Sequence, residues 1–427
     1  MTVEVPTHWY DLLADSGVQL PPEKRPDGAG NGGVRLNVPK QLVRQNMAMR
    51  AWVEIPEPVR AAYARWRPTP LRRAEALEAE LGTPARIYYK HEALNLAGTH
   101  KLSTALAQAH YYGEAGVRQL VTCTAAGQWG TAIALATRQL GLGLRVHMVR
   151  GSYERKPARR TLMELLGAEI VVSGEALADA MTAAIEDASA SEHSRWILGG
   201  SEPFAILHST VIGLEAIEQL RELDEWPDVV LAYMGGGKNL GGLAFPFLGG
   251  DGGRAPRCVA VESAAYPALT RGRYAYDRTD RSGTTPLARM YTLGQSFPTR
   301  PLRAQGMRYH AASKLISALH DQGRIQARAE QEPDVFDAAV LFARTEGVLP
   351  SPEAAHAVRG AIAEAIDARE EGRPRVVLFC LSDHGHFDLA AYQDYLDGEI
   401  EPVEVSDDEI QASLANLPDL EPSHASQ

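Results

Sequence analysis

The chain has 427 residues, 45% of them apolar and 23% charged, with a formal net charge of −11. That length exceeds what one hydrophobic core usually serves, so two tightly packed units are expected. The composition is that of a globular protein, no run of about 18 apolar residues could span a bilayer, and the charge balance argues against a nucleic-acid binder. Basic clusters such as Arg155-Lys156-Pro157-Ala158-Arg159-Arg160 alternate with acidic helices and read as solvated surface. Cys123, Cys258 and Cys380 lie far apart and none forms a Cys-x-x-Cys pair, which argues against a disulfide framework and a structural zinc site and for a reducing compartment. The segment from Met1 to Pro6 lacks a basic, apolar leader pattern, so the cytoplasm is the expected location.

In chain order, residues 1–60 are expected to form an N-terminal arm. Its stretch Pro21–Gly33 is too rich in Pro, Gly and charge for a core element, and the ordered fold is expected to start after it. From Arg86 onward, short apolar runs alternate with Ala-rich helical stretches. Strands are predicted at 86–90, 119–122, 145–149 and 169–172, then at 229–233, 257–261 and 375–379. This alternation implies an α/β fold with two α/β domains and mainly parallel sheets, divided as 61–214 and 215–427. The polar tail after Leu420 is expected to be disordered.

Ligands of such folds gather at loops beyond the carboxyl ends of the strands, where helices begin. One such loop, Leu96-Ala97-Gly98-Thr99-His100-Lys101, opens a helix running to about Ala115, so Lys101 stands in a first helical turn. The positive helix end and partial burial both disfavour an ammonium there, and a neutral amine suits Schiff-base chemistry. A second loop, Cys123-Thr124-Ala125-Ala126-Gly127-Gln128-Trp129-Gly130, has small residues that let backbone N–H groups close on a carboxylate. A third, Met234-Gly235-Gly236-Gly237-Lys238-Asn239, suits a phosphate cradle, although three glycines alone could be a mere turn. The segment Ser382-Asp383-His384-Gly385-His386 follows the last strand, and Ser382 could face a cofactor ring nitrogen.

Together these segments resemble the tryptophan synthase β chain, and more closely its second, stand-alone type, from about Trp9 to Tyr395. Further segments that carry the resemblance are Trp66 to Leu71, Ala85 to Lys90, Thr210 to Ala216 and Gly385 to Tyr392. The resemblance implies a fold-type II pyridoxal-phosphate enzyme: two three-layer α/β domains with the cofactor between them and a mobile, substrate-closing region at about 114–196. It implies that Lys101 holds pyridoxal 5'-phosphate as a Schiff base beside His100. Gly235, Gly236, Gly237, Lys238 and Asn239 fall on its phosphate loop, Ser382 at the pyridine nitrogen, and Glu353 on an acidic position lining the cofactor. Thr124, Ala125, Ala126, Gly127, Gln128 and Trp129 fall on the loop that receives the substrate carboxylate. The partners implied are an amino acid and a second, nucleophilic substrate, in a homodimer without an obligate α subunit; no metal is implied.

Four positions depart from the family pattern. Cys123 stands where the family has a glutamate that acts as acid and base, and Ser296 where an aspartate senses the substrate hydroxyl. Lys238 replaces a small hydroxyl residue, and Asp383 a glycine; a carboxylate at 383 could strengthen the cofactor as an electron sink or cap the next helix. The span from Val172 to Trp196 is also shortened. Cys123 reads either as a small buried apolar residue or as a thiol that moves a proton or reacts with substrate. The clustering of changes favours the second reading, and with it β-elimination or β-replacement using a different leaving group or nucleophile. Ordinary synthesis of tryptophan from serine and indole, other carbanion chemistry such as racemisation or retro-aldol cleavage, and a catalytically inactive cofactor-binding partner are the alternatives.

Overall fold

The strands of the larger sheet are each divided between two cores. Along Val229–Tyr233, Val229 and Leu231 join one apolar cluster while Val230 and Ala232 join the other, and Val376–Leu381 repeats the split with Val377 and Phe379 against Leu378 and Cys380. Alternate side chains leave a strand on opposite faces, so a strand apolar at every position must be covered on both. One face is covered by the helices Glu332–Glu346 and Pro352–Glu371, the other by Val211–Glu222 and Lys238–Leu248. The computed structural model describes residues 3–24, 38–175, 177–197, 199–200, 202–249, 254–279 and 285–418.

The larger sheet has the strand order Gln326–Glu330, Arg257–Ser263, Val229–Tyr233, Val376–Leu381, Arg86–His91, Leu71–Arg73, all parallel except the last. A second, four-stranded sheet is fully parallel, in the order Glu169–Val172, Gly143–Met148, Gln119–Thr124, Ser194–Trp196. Its Val121 and Cys123 face the helix Leu177–Ser189, where Ala180, Ala184 and Ile185 pack against them.

Three expectations are corrected here. The boundary at residue 214 fails, because Leu71–Arg73 and Arg86–His91 pair into the larger sheet while the smaller one takes its strands from 119–196. A buried network of charges fixes that return: Arg67 contacts Glu92 at 2.5 Å and Glu215 at 2.9 Å, and Lys90 reaches Glu215 at 2.7 Å. Two cations and two carboxylates cancel, which is what burial demands. Order also begins before Pro21. His8–Tyr10 pairs with Trp52–Glu54, Trp9 and Tyr10 are core residues, and the Tyr10 main-chain N–H donates to Thr210 Oγ1 at 3.0 Å. The basic run at 155–160 is not wholly solvated either: Lys156 and Arg159 are buried against Asp388, at 2.6 and 3.0 Å. That partner lies 229 residues beyond Arg159, out of reach of local sequence reading. Residues 25–33 of the arm's irregular stretch and the tail after Leu420 lie outside the described residues.

Candidate active site

Three helices start at one cavity. Leu102–Glu114 begins directly after Lys101, Gln128–Leu140 after Gly127 (φ 93°), and Lys238–Leu248 after Gly237 (φ 86°). The two glycines hold a left-handed conformation that turns each strand's exit into a helix N-terminus, where free N–H groups attract anions. A Cβ at Gly237 would stand 2.7 Å from Ile316 Cγ1 and 2.8 Å from Ser313 Oγ, so only glycine fits. Thr124 shapes the second loop through its hydroxyl, which accepts from the N–H groups of Gly127 at 3.2 Å and Gly130 at 3.3 Å.

The cavity encloses about 230 Å³, and its wall carries His100, Lys101, Cys123, Thr124, Ala125, Ala126, Gln128, Trp129, Gly235, Gly236, Gly237, Lys238 and Asn239. It adjoins an outer cavity, with Ala125, Leu177, Met181, Gln305 and Arg308 common to both. Gly127 shapes the wall without lining it: a Cβ there would meet Arg159 Cδ at 2.7 Å. Glu353 and Ser382 stand behind the wall. Glu353 Oε1 accepts from the Gly306 N–H at 2.8 Å, and the Ser382 carbonyl accepts from the His100 N–H at 2.8 Å.

Ser296 is not brought to the cavity. Its hydroxyl turns to Ser413, 3.3 Å from the carbonyl and 3.2 Å from Oγ, and accepts from Asn416 Nδ2 at 3.0 Å. The terminal helix Asp407–Leu414 claims it, and its neighbours Gln295 and Phe297 line the outer cavity instead. Asp383 does not cap the helix Leu389–Leu396, whose N-cap position is Asp388.

Lys101 Nζ donates to the Tyr233 hydroxyl at 3.1 Å and lies 3.5 Å from Asp383 Oδ1. The Ser382 hydroxyl donates to Asp383 Oδ2 at 2.6 Å. Burial alone would push the Asp383 carboxyl up, but the charge of Lys101, with His100 and Ser382, holds it well below the usual carboxylate range. Burial and the Lys101 charge bring His100 down to about 4, so its ring is neutral near pH 7. The Lys238 amine donates to the Gly199 carbonyl and sits 5.1 Å above the Trp129 ring. Burial first, then the charge of Lys101, lowers it to about 7. Cys123 was expected to carry chemistry, yet its thiol sits in the apolar cluster of Val121, Ile185 and Trp196, and burial pushes it up to about 12. A thiol in that state is a poor proton shuttle.

Tyr233 was missed by the sequence reading, although its place at the end of a strand just before the glycine loop could have flagged it. Arg308 and Tyr309 carry no local motif. Among the described residues, Glu202 is the one carboxylate on the wall, and it lies 3.7 Å from Lys314 Nζ.

Pyridoxal phosphate needs an amine and a cradle for a phosphate, and the residues present supply both. The amine of Lys101 reaches the cavity, and the glycine loop opens a helix there. Asn239 Nδ2 and Oδ1 and Gln128 Nε2, all buried at this wall, have no hydrogen-bond partner among the described residues, as groups awaiting a polar ligand would.

Comparison with known proteins agrees. Residues 64–383 match the family described as pyridoxal-phosphate dependent enzyme. The chain is 45% identical to the tryptophan synthase beta chain of Thermococcus gammatolerans, over 94% of this chain and 96% of that one. It is 43% identical to tryptophan synthase beta chain 2 of Aquifex aeolicus, over 93% and 98%. In fold it resembles a fungal L-serine ammonia-lyase from Rhizomucor miehei, with a TM-score of 0.61 and 19% identity over 77% of this chain and 97% of that one. These matches and the geometry above agree on fold-type II architecture, and the chain belongs to the pyridoxal-phosphate dependent enzymes, in the tryptophan synthase β chain family.

Proposed function

We propose that this enzyme catalyses β-elimination or β-replacement on a small amino acid, with a leaving group or nucleophile other than those of serine and indole. The observation that supports the departure is the wall at Cys123, where an apolar cluster holds a neutral thiol and no carboxylate of the described wall stands beside it. Indole is a weak nucleophile that needs a base, and a thiol held neutral among apolar side chains is not one.

When bound, pyridoxal phosphate supplies an electron sink for a carbanion at the substrate Cα. The chain's own residues do the rest. Lys101 carries the cofactor and moves the Cα proton. Gly235, Gly236, Gly237 and Asn239 would receive the phosphate at the start of their helix, with Lys238 on the same wall. His100 packs beside Lys101, Ser382 would serve the ring nitrogen, and Glu353 fixes the Gly306 backbone at the cavity wall. N–H groups of the loop from Thr124 to Trp129 hold the substrate carboxylate, so that the Cα–H bond is aimed at Lys101. We place the enzyme in the cytoplasm as a homodimer acting without an α chain; no described helix is long and apolar enough to cross a membrane.

A second reading, ordinary tryptophan synthesis, is favoured by the 45% identity over nearly the whole chain. Assay with L-serine and indole separates the two: robust formation of tryptophan supports the second reading, and turnover with an activated β-substituent or with a nucleophile other than indole, without tryptophan, supports the first.

A further inference from the structure

The Tyr233 hydroxyl touches Lys101. It accepts from Nζ at 3.1 Å, its ring meets His100 edge-on with centroids 6.0 Å apart, and it lines the same cavity as Cys123. Its own proton has no acceptor among the described residues, and so points to a ligand. Asp383 also stands near Nζ, 3.5 Å away and itself held by Ser382. Burial, with Asp383 and Glu353 adding to it, pushes the phenol well above its ordinary range, so Tyr233 is a hydroxyl and not a phenolate.

We propose that Tyr233 is a catalytic residue that relays a proton from Lys101 to the oxygen leaving the substrate Cβ. This rests on the β-elimination reading above. The Lys101 amine takes the Cα proton, and the electron pair of that bond becomes the Cα=Cβ double bond. As the Cβ–O bond breaks, its pair leaves with oxygen. Tyr233 gives its hydroxyl proton to that oxygen while the Lys101 ammonium returns a proton to the phenol oxygen. The amine and the phenol are both restored, and because no phenolate forms, the weak acidity of the buried hydroxyl is no obstacle. Asp383 is a positioning residue that keeps the transient ammonium beside the phenol.

The test is Tyr233→Phe in the loaded enzyme, with L-serine and β-chloro-L-alanine as probes; chloride needs no proton to leave. Expected are an unchanged visible cofactor band, retained exchange of the α-hydrogen with deuterated solvent and near wild-type release of chloride, with oxygen leaving groups slowed about 100-fold or more. In the cofactor-free protein, loss of the contact to Tyr233 should change the rate at which an acylating reagent labels the Lys101 amine at fixed pH. A wild-type solvent isotope effect present for oxygen leaving groups and absent for chloride supports the relay without any variant. The relay is overturned if the variant releases chloride and oxygen groups with equal loss, if it shows no loss for oxygen groups, or if the wild type releases chloride alone. Absence of both the cofactor band and α-hydrogen exchange in the wild type would remove the β-elimination reading itself, and the relay with it.

Discussion

The amine of Lys101 has a phenol and a carboxylate for neighbours, one at the end of a strand 132 positions later in the chain and the other two residues past a strand, 282 positions later. Lys101 and its glycine loops were legible because each sits at a strand exit with a helix behind it. Tyr233 and Asp383 were not read as its partners, because contacts at that separation leave no local pattern. Cys123 follows the period-2 pattern set by Val121, which put it on an apolar face, so its dull reading was available in the sequence. With the thiol near 12, alkylation of Cys123 by iodoacetamide at pH 8 should run about 1,000-fold slower than that of a free cysteine, after allowing for access. A rate near that of free cysteine would show an activated thiol. Lys238 gives a pH signature. The folded protein releases its proton near 7 and the unfolded chain only near 10.4, so between these values the unfolded state binds more protons and stability rises with pH. Unfolding midpoints of the cofactor-free wild type should therefore gain on those of Lys238→Met from pH 6 to pH 9; a constant difference would contradict the assignment.

At the scale of elements, the strands 169–172 and 229–233 match their sequence expectation residue for residue, and the others differ by one or two residues at an end. Val229–Tyr233 is apolar and buried throughout, and Glu169–Val172, half-buried at a sheet edge, still carries the β-branched run Ile170, Val171 and Val172. Gln326–Glu330 was missed because it is an edge strand with charged residues, and Ser194–Trp196 because three residues show no period. The network of Arg67, Lys90, Glu92 and Glu215 was visible only as segments of family likeness, since its charges are matched only in space. Removing one charge leaves another buried without a partner, so Glu215→Gln should lower the unfolding free energy by about 3–5 kcal/mol, read as a shifted urea midpoint. An unshifted midpoint would mean that the network is hydrated in solution. Gly237→Ala should weaken pyridoxal phosphate binding in a fluorescence titration, because the loop would have to move off Ile316 and Ser313. Unchanged affinity would place the phosphate elsewhere.

For the whole molecule, the α/β class and mainly parallel sheets follow from the alternation of strands and helices, while the division into two units does not, because the chain leaves the larger sheet after residue 91 and returns to it at 229. The assembly also holds His91, His100, His356 and His384 near 4 and His208 near 3, each lowered first by burial. Their unfolded values lie near 6.5, so between about 4 and 6.5 the unfolded state binds more protons and stability falls as pH drops. Asp11 near 6, Glu262 near 7 and Glu332, all raised by burial, act in the opposite sense, but five histidines outweigh three carboxyls. The melting temperature should accordingly drop from pH 6.5 to pH 4.5; a flat profile would show that the histidines titrate normally. The central claim is that Lys101 binds pyridoxal phosphate and works on an amino acid. The measurement that tests it most directly is the visible absorption spectrum of the purified protein, wild type and Lys101→Ala, with cofactor and with each amino acid in turn. The predicted result is a wild-type band that shifts with particular amino acids and is lost in Lys101→Ala; no band in the wild type, or the same band and shifts in the variant, would contradict it.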